Sequence, residues 1–128
     1  MTNEQEKLLL KSQQGELDAA LMYRALAAVV QDARDAAVFR RLAAEESGHA
    51  KVFEALTQSF LIPKKKLSLL VPALYRTLGR KRVYALIADQ EYDAAKNYEA
   101  LVAEFPEVKA VQADETRHGD MVTALLNI

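Results

Sequence analysis

The chain has only two histidines, and both sit in the same short phrase. Glu46 and His49 are three residues apart, as are Glu115 and His118. On a helix this spacing brings both side chains out on one face from neighbouring turns, so a carboxylate oxygen and an imidazole nitrogen can grip one cation. Each phrase is preceded by a segment with a further glutamate. ELDAALMYRAL, Glu16 to Leu26, returns as EYDAAKNYEAL, Glu91 to Leu101, with seven of eleven positions identical. The later segments match as well. AEESGHAKVFEAL (44–56) aligns with ADETRHGDMVTAL (113–125) through Ala, Glu, His, Ala and Leu, with Asp114 opposite Glu45. The chain reads as two copies of one helical hairpin, each with Glu on its first helix and Glu-x-x-His on its second.

Projected at 3.6 residues per turn, these six residues fall on apolar stripes. Glu16 is in line with Leu9, Ala20, Tyr23, Ala27 and Val30, and Glu46 and His49 with Phe39, Leu42, Phe53 and Leu56. Glu91 joins Tyr84, Ile87, Ala94, Tyr98 and Leu101, while Glu115 and His118 join Val108, Val111, Val122 and Leu125. Burying carboxylates without partners costs several kcal/mol each. Two divalent cations remove that cost, because four glutamates and two neutral histidines then sum to zero charge. In this reading Glu46 and Glu115 bridge the metals, and Glu16 and Glu91 are terminal ligands. Tyr23 and Tyr98, seven residues after their glutamates, are candidate hydrogen-bond donors to the ligands; the alternative is a plain core role. Glu45 and Asp114 are candidates to orient the other hairpin's histidine, or else they line a solvated flank.

The helices that must carry these residues are legible from their ends. At 128 residues the chain is long enough for one domain (1–128) with a core of its own. Few Gly and Pro, with abundant Ala, Leu, Glu, Lys and Arg, predict an all-α fold. Thr2 or Asn3 caps a first helix that reaches about Gln31, with Gln5 or Glu6 completing a capping box. Asp32 caps a second, with Asp35 as box partner, which runs to about Phe60 and is stopped by Pro63. Residues 62–79 form a connection containing Pro72 and a short helix. A third long helix spans about Arg80 to Glu104, and Pro106 opens a fourth that reaches about Leu126. The hairpins, about 3–60 and 80–127, and the long link between them fit a four-helix bundle with a crossover connection between helices two and three. Pro63, Pro72 and Gly79 favour a bundle closed within one chain over one exchanged between two chains, with homodimerisation through outer faces.

Composition removes several chemistries. With no cysteine there is no disulfide, thiolate metal site, iron–sulfur cluster or thiol nucleophile. A net charge of −1 gives no general attraction to nucleic acid. The opening MTNEQEKLLLK lacks a signal-peptide layout and no apolar run is long enough to span a bilayer, so a cytoplasmic protein is expected. The charge is unevenly spread. Seven of the 17 basic residues and no acidic one lie between Lys64 and Arg82, leaving 10 basic against 18 acidic residues elsewhere, a net of −8. The favoured reading of 64–82 is a solvated link packed over the bundle. The alternative is peripheral docking on an anionic membrane surface or an acidic redox partner.

The six residues Glu16, Glu46, His49, Glu91, Glu115 and His118 resemble the ligand pattern of ferritin-like di-iron carboxylate proteins, in which two helices give Glu and two give Glu-x-x-His. The resemblance covers nearly the whole chain and is strongest to rubrerythrins and their short relatives. ELDAALMYRALA and RLAAEESGHAKVF are also similar to ferritin-like domains attached to membrane iron transporters. The resemblance implies a ferritin-like fold, two iron ions held by these six residues, and reaction with O2 or H2O2 using an external electron donor. Mn or Zn suits the same ligands. Two features depart from the family pattern. Rubrerythrin peroxidases usually carry a cysteine-rich rubredoxin module, and this chain has no cysteine; they also place another Glu one turn after the third-helix ligand, where this chain has Ala94. Rubrerythrin-like peroxide reduction or ferroxidase activity is the leading expectation. The alternatives are iron buffering without turnover, and hydroxylation of an organic substrate as in the related demethoxyubiquinone hydroxylase. Storage in a large cage is disfavoured, because the fifth helix typical of such cages is missing.

Overall fold

In a computed structural model that describes residues 1–127, five helices and no strand occur among the described residues. They are α1 (Asn3–Val29), α2 (Ala33–Thr57), α3 (Lys66–Leu78), α4 (Arg80–Val102) and α5 (Pro106–Leu125). The chain divides into two compact units, one ending at Ala73 and the other starting at Leu74. The first contains the α1/α2 hairpin and the second the α4/α5 hairpin; the division falls inside α3. No described helix is long and apolar enough to cross a membrane.

Local chemistry explains where most helices start. Thr2 and Gln5 form the capping box of α1: the Gln5 N–H donates to Thr2 Oγ1 at 3.0 Å, and the Thr2 N–H donates to Gln5 Oε1 at 2.8 Å. Glu4 and Glu6 in that first turn suit the helix dipole. Asp32 caps α2 by accepting from the N–H groups of Arg34 and Asp35 at 2.8 and 3.1 Å. Pro106 takes the first turn of α5, where its missing N–H costs no helical hydrogen bond.

The end of α2 departs from expectation. The helix stops at Thr57, well before Pro63, with Gln58 in the left-handed region at φ 53°. A long-range contact supplies the reason. Gln13 of α1, fully buried, accepts from Thr57 Oγ1 at 2.6 Å and donates to the Ser59 carbonyl at 2.7 Å. Its amide thus gives the chain partners on leaving the helix, so no further turn is needed. The extended residues that follow are tied to α1 too. Gln14 Nε2 donates to the Ile62 carbonyl at 2.9 Å, and the Lys64 N–H donates to Asp18 Oδ1 at 2.7 Å.

The link follows expectation. The short helix expected in the link is present as α3, 13 residues long, and Pro72 lies inside it. Pro72 has no N–H to give the Ser68 carbonyl, but the helix continues past it. Pro72 is the buried residue of α3. Gly79 separates α3 from α4 at φ 89°, a backbone region that only glycine enters cheaply. In the second unit, Arg80 Nη2 donates to the Leu125 carbonyl at 2.6 Å, satisfying a group orphaned at the end of α5. The same guanidinium lies 5.0 Å from the centre of the Tyr84 ring.

The core follows the apolar stripes. Leu9, Ala20, Tyr23, Phe39, Leu42 and Phe53 are buried in the first unit, and Tyr84, Ile87, Tyr98, Leu101, Val111 and Val122 in the second. Val30, Leu56 and Ala94 are only half-buried.

Candidate metal centre

All six expected ligands are buried, none more than 6% exposed. Within the first unit, α1 supplies Glu16 and α2 supplies Glu46 and His49. His49 Nδ1 stands 3.4 Å from Glu16 Oε2 and 3.2 Å from Glu46 Oε1. Within the second, α4 supplies Glu91 and α5 supplies Glu115 and His118. His118 Nδ1 stands 3.3 Å from Glu91 Oε2 and 3.6 Å from Glu115 Oε1. In each hairpin one oxygen from each carboxylate and one ring nitrogen converge within 4.8 Å of one another. The converging atoms themselves are shut off from solvent.

These separations suit a shared cation. Metal–nitrogen and metal–oxygen bonds of about 2.0–2.2 Å place neighbouring ligand atoms about 3.0–3.5 Å apart in octahedral or tetrahedral geometry. The donor set, carboxylate oxygen with imidazole nitrogen, is suited to iron, manganese and zinc. Each triad carries a formal charge of −2 with its histidine neutral, which one divalent ion cancels. Both histidines present Nδ1 to the carboxylates.

The family of the chain can now be placed. A family model, Rubrerythrin, matches residues 7–126, nearly the whole chain and all six of these residues. The chain belongs to the rubrerythrin family. No curated protein and no solved structure matches it. Family membership and five helices agree with the all-α, ferritin-like class expected from the sequence.

The other candidate residues take clear positions within their own units. Tyr23 is buried and stacked on Phe39, ring centres 5.8 Å apart and planes 12° from parallel. Tyr98 is buried in α4. Glu45 receives the Arg41 Nε–H at 2.9 Å, and Asp114 receives Arg117 Nη2 at 3.2 Å, both pairs along one helix.

Two features near the triads escaped the sequence reading. One is Gln13, a turn before Glu16 on α1, where a polar residue on the buried face was the available signal. The other is the pair Tyr92 and Gly119, each directly following a triad residue. A Cβ placed on Gly119 would lie 2.5 Å from Tyr92 Cε1, so only glycine admits the ring there. The Tyr92 hydroxyl donates to Asp120 Oδ1 at 2.6 Å. That hydrogen bond, helped by burial and by the charges of Asp120 and Asp89, raises the tyrosine pKa above 10 despite the opposing Thr123 hydroxyl.

Proposed function

We propose that Glu16, Glu46, His49, Glu91, Glu115 and His118 together bind two iron ions, and that the protein reduces O2 or H2O2 there, as a peroxidase or ferroxidase. One observation carries the reading: each hairpin turns a histidine Nδ1 toward two buried carboxylate oxygens at 3.2–3.6 Å. Such a triad lacks the ligand number that iron ordinarily takes, and in this reading the carboxylates of the other triad would supply the rest. Glu46 and Glu115, each with two oxygens, are assigned as bridges, and Glu16 and Glu91 as terminal ligands. A pair of ferrous ions held there would supply the electrons needed to reduce an O–O bond.

The protein's part is to hold and shield. Buried carboxylates would set positions and cancel charge, while buried apolar residues on the same helix stripes, such as Leu9, Phe53 and Val122, would keep bulk water away. Tyr23 and Tyr98 are assigned as hydrogen-bond donors to the ligands, and Glu45 and Asp114 as the groups that orient the histidine rings. An external donor returns the electrons, since the chain has no cysteine to hold a redox centre of its own.

Anaerobic loading with Fe(II), followed by metal analysis, should give about two ions per chain if each triad takes one. Adding H2O2 or O2 to the loaded protein should then change its near-ultraviolet absorption. Repeated peroxide consumption with an electron donor marks a peroxidase, whereas consumption limited to the iron supplied marks a ferroxidase. A stoichiometry of zero or one after full loading would rule out the paired site.

A further inference from the structure

We propose that residues 60–70 form a docking surface for an anionic lipid membrane. The proposal stands apart from the metal site. Phe60 is 81% exposed, Ile62 and Leu69 are each 71%, Leu70 is 44% and Leu67 is 39%. Lys64, Lys65 and Lys66 lie among them and are exposed as well. Five large apolar side chains within eleven residues are more than scattered surface hydrophobes, and a lysine run beside them selects what they can meet.

The arrangement is held ready. Hydrogen bonds from Gln14 Nε2 to the Ile62 carbonyl and from the Lys64 N–H to Asp18 Oδ1 fix the extended backbone between α2 and α3. The side chains of Phe60 and Ile62 therefore project from an ordered strand of chain, which lowers the entropy lost on binding. In α3, at about 100° per residue, Leu67 and Leu70 lie within about 60° of one another, while the buried Pro72 faces the opposite side. Lys66 lies about 40° beyond Leu70, and Leu69 about 60° beyond Lys66, at the edge of this stripe toward Pro72. The apolar stripe is thus turned outward, away from the protein's own core.

Charge decides the occupant. No acidic residue occurs between Glu54 and Asp89, so nothing in this stretch opposes an anionic surface. Outside residues 64–82 the chain carries a net of −8, which an anionic bilayer repels. The two effects together favour a single orientation with residues 60–70 against the lipid. A second copy is a poorer partner. A symmetric contact through this face brings one lysine run against another, and a contact with acidic surface elsewhere on the copy is head-to-tail and need not close. A lipid surface accepts the apolar groups at the headgroup boundary and pairs the lysines with phosphates.

Flotation with vesicles tests the proposal. The full chain is mixed with vesicles of phosphatidylcholine alone, or of phosphatidylcholine and phosphatidylglycerol. It should float with the anionic vesicles at physiological ionic strength and remain behind with neutral ones. The Lys64→Glu/Lys65→Glu/Lys66→Glu variant and the Leu69→Glu variant should each bind at least about tenfold more weakly, with unchanged far-ultraviolet circular dichroism. Phe60→Ser, outside the helix, gives a second apolar reading should Leu69→Glu disturb α3. The proposal is overturned by equal flotation with neutral vesicles, or by none with anionic ones. Wild-type binding in both apolar variants overturns it too, since adsorption would then be purely electrostatic. So does sedimentation showing a dimer that Leu69→Glu dissociates, because the face would then belong to a second copy.

Discussion

The two hairpins reach the same triad by different packing. His49 Nδ1 stands 3.4 and 3.2 Å from its two carboxylates, and His118 Nδ1 stands 3.3 and 3.6 Å from its own. The residues directly beside them differ. Beside Glu16 and His49 come Leu17 and Ala50; beside Glu91 and His118, at the matching positions, come Tyr92 and Gly119. The first hairpin ends in a buried amide network from Gln13 to Thr57 and Ser59. The second ties α4 to α5 by Arg80 at the Leu125 carbonyl and by Gln112 at the Ala95 carbonyl. If the triads bind metal as proposed, a cation would hold these positions to within a few tenths of an ångström. Volume is set only in sum, so a large residue facing a small one serves as well as two medium ones.

The sharpest way to break this equivalence is to remove ligands from one hairpin at a time. Glu46→Ala and Glu115→Ala should each abolish paired metal binding, with the melting temperature no longer raised by Fe(II). Glu16→Ala and Glu91→Ala should each weaken mainly one ion, by roughly 100-fold or about 3 kcal/mol for a lost charged ligand. Calorimetric titration under anaerobic conditions measures both. Equal, mild losses from all four variants would show that no carboxylate bridges.

The packing difference can be tested by exchange. Gly119→Ala forces a methyl group against the Tyr92 ring and should destabilise the protein by about 1–3 kcal/mol, the usual cost of overpacking. Tyr92→Leu, which copies Leu17, should restore most of that loss in the double variant, measured by urea unfolding. The reverse change, Ala50→Gly, should cost about 1 kcal/mol from helix propensity alone. If Gly119→Ala and Tyr92→Leu are additive, the ring and the glycine are not a matched pair.

What the sequence disclosed about these hairpins was local or repeated. The Glu-x-x-His spacing, the capping residues Thr2 and Asp32, and Pro106 all act within a turn or two, so they can be read along the chain. The repeat then linked residues seventy-odd positions apart. What it concealed depends on long-range partners without a repeat. Gln13 reaches residues 44 and 46 positions away, and that contact ends α2 before Pro63 can. Tyr92 fits Gly119 from another helix, although each looks ordinary alone. The missing N–H of Pro72 is a local fact, but whether a helix continues through it depends on its surroundings, and α3 does continue. Val30 and Leu56 share the phase of the core stripes but lie near helix ends, where coverage runs out.

The network special to the first hairpin should show a smaller effect. Gln13→Ala removes the acceptor for Thr57 Oγ1 and the donor for the Ser59 carbonyl in one step. A loss of about 1–3 kcal/mol is expected, the cost of leaving buried polar groups unmatched. The matching position in the second hairpin is Ala88, so no equivalent loss can be produced there. Urea unfolding of the metal-free protein gives the number. No change in midpoint would mean that water replaces the amide without cost.

The smallest expected effect separates the hairpins by pH. Tyr92 is the ionisable member of its pair, and Leu17 at the matching position cannot titrate. The hydrogen bond to Asp120 is the main reason the Tyr92 pKa lies above 10 in the folded protein, because ionising the phenol would set two anions 2.6 Å apart. A folded-state pKa raised above the unfolded one means that the folded state holds this proton more tightly. The contribution is therefore complete below pH 10 and fades as pH rises through the folded value. Tyr92→Phe should lower the unfolding midpoint slightly at neutral pH, and the gap from wild type should close above about pH 10. Because the phenol lies close to solvent, the gap is expected to be small throughout. Paired urea titrations from about pH 8 to 11 span the transition. A gap that stays constant across that range would mean that the hydroxyl contributes through packing or Thr123, and that the proton shared with Asp120 does not distinguish the second hairpin from the first.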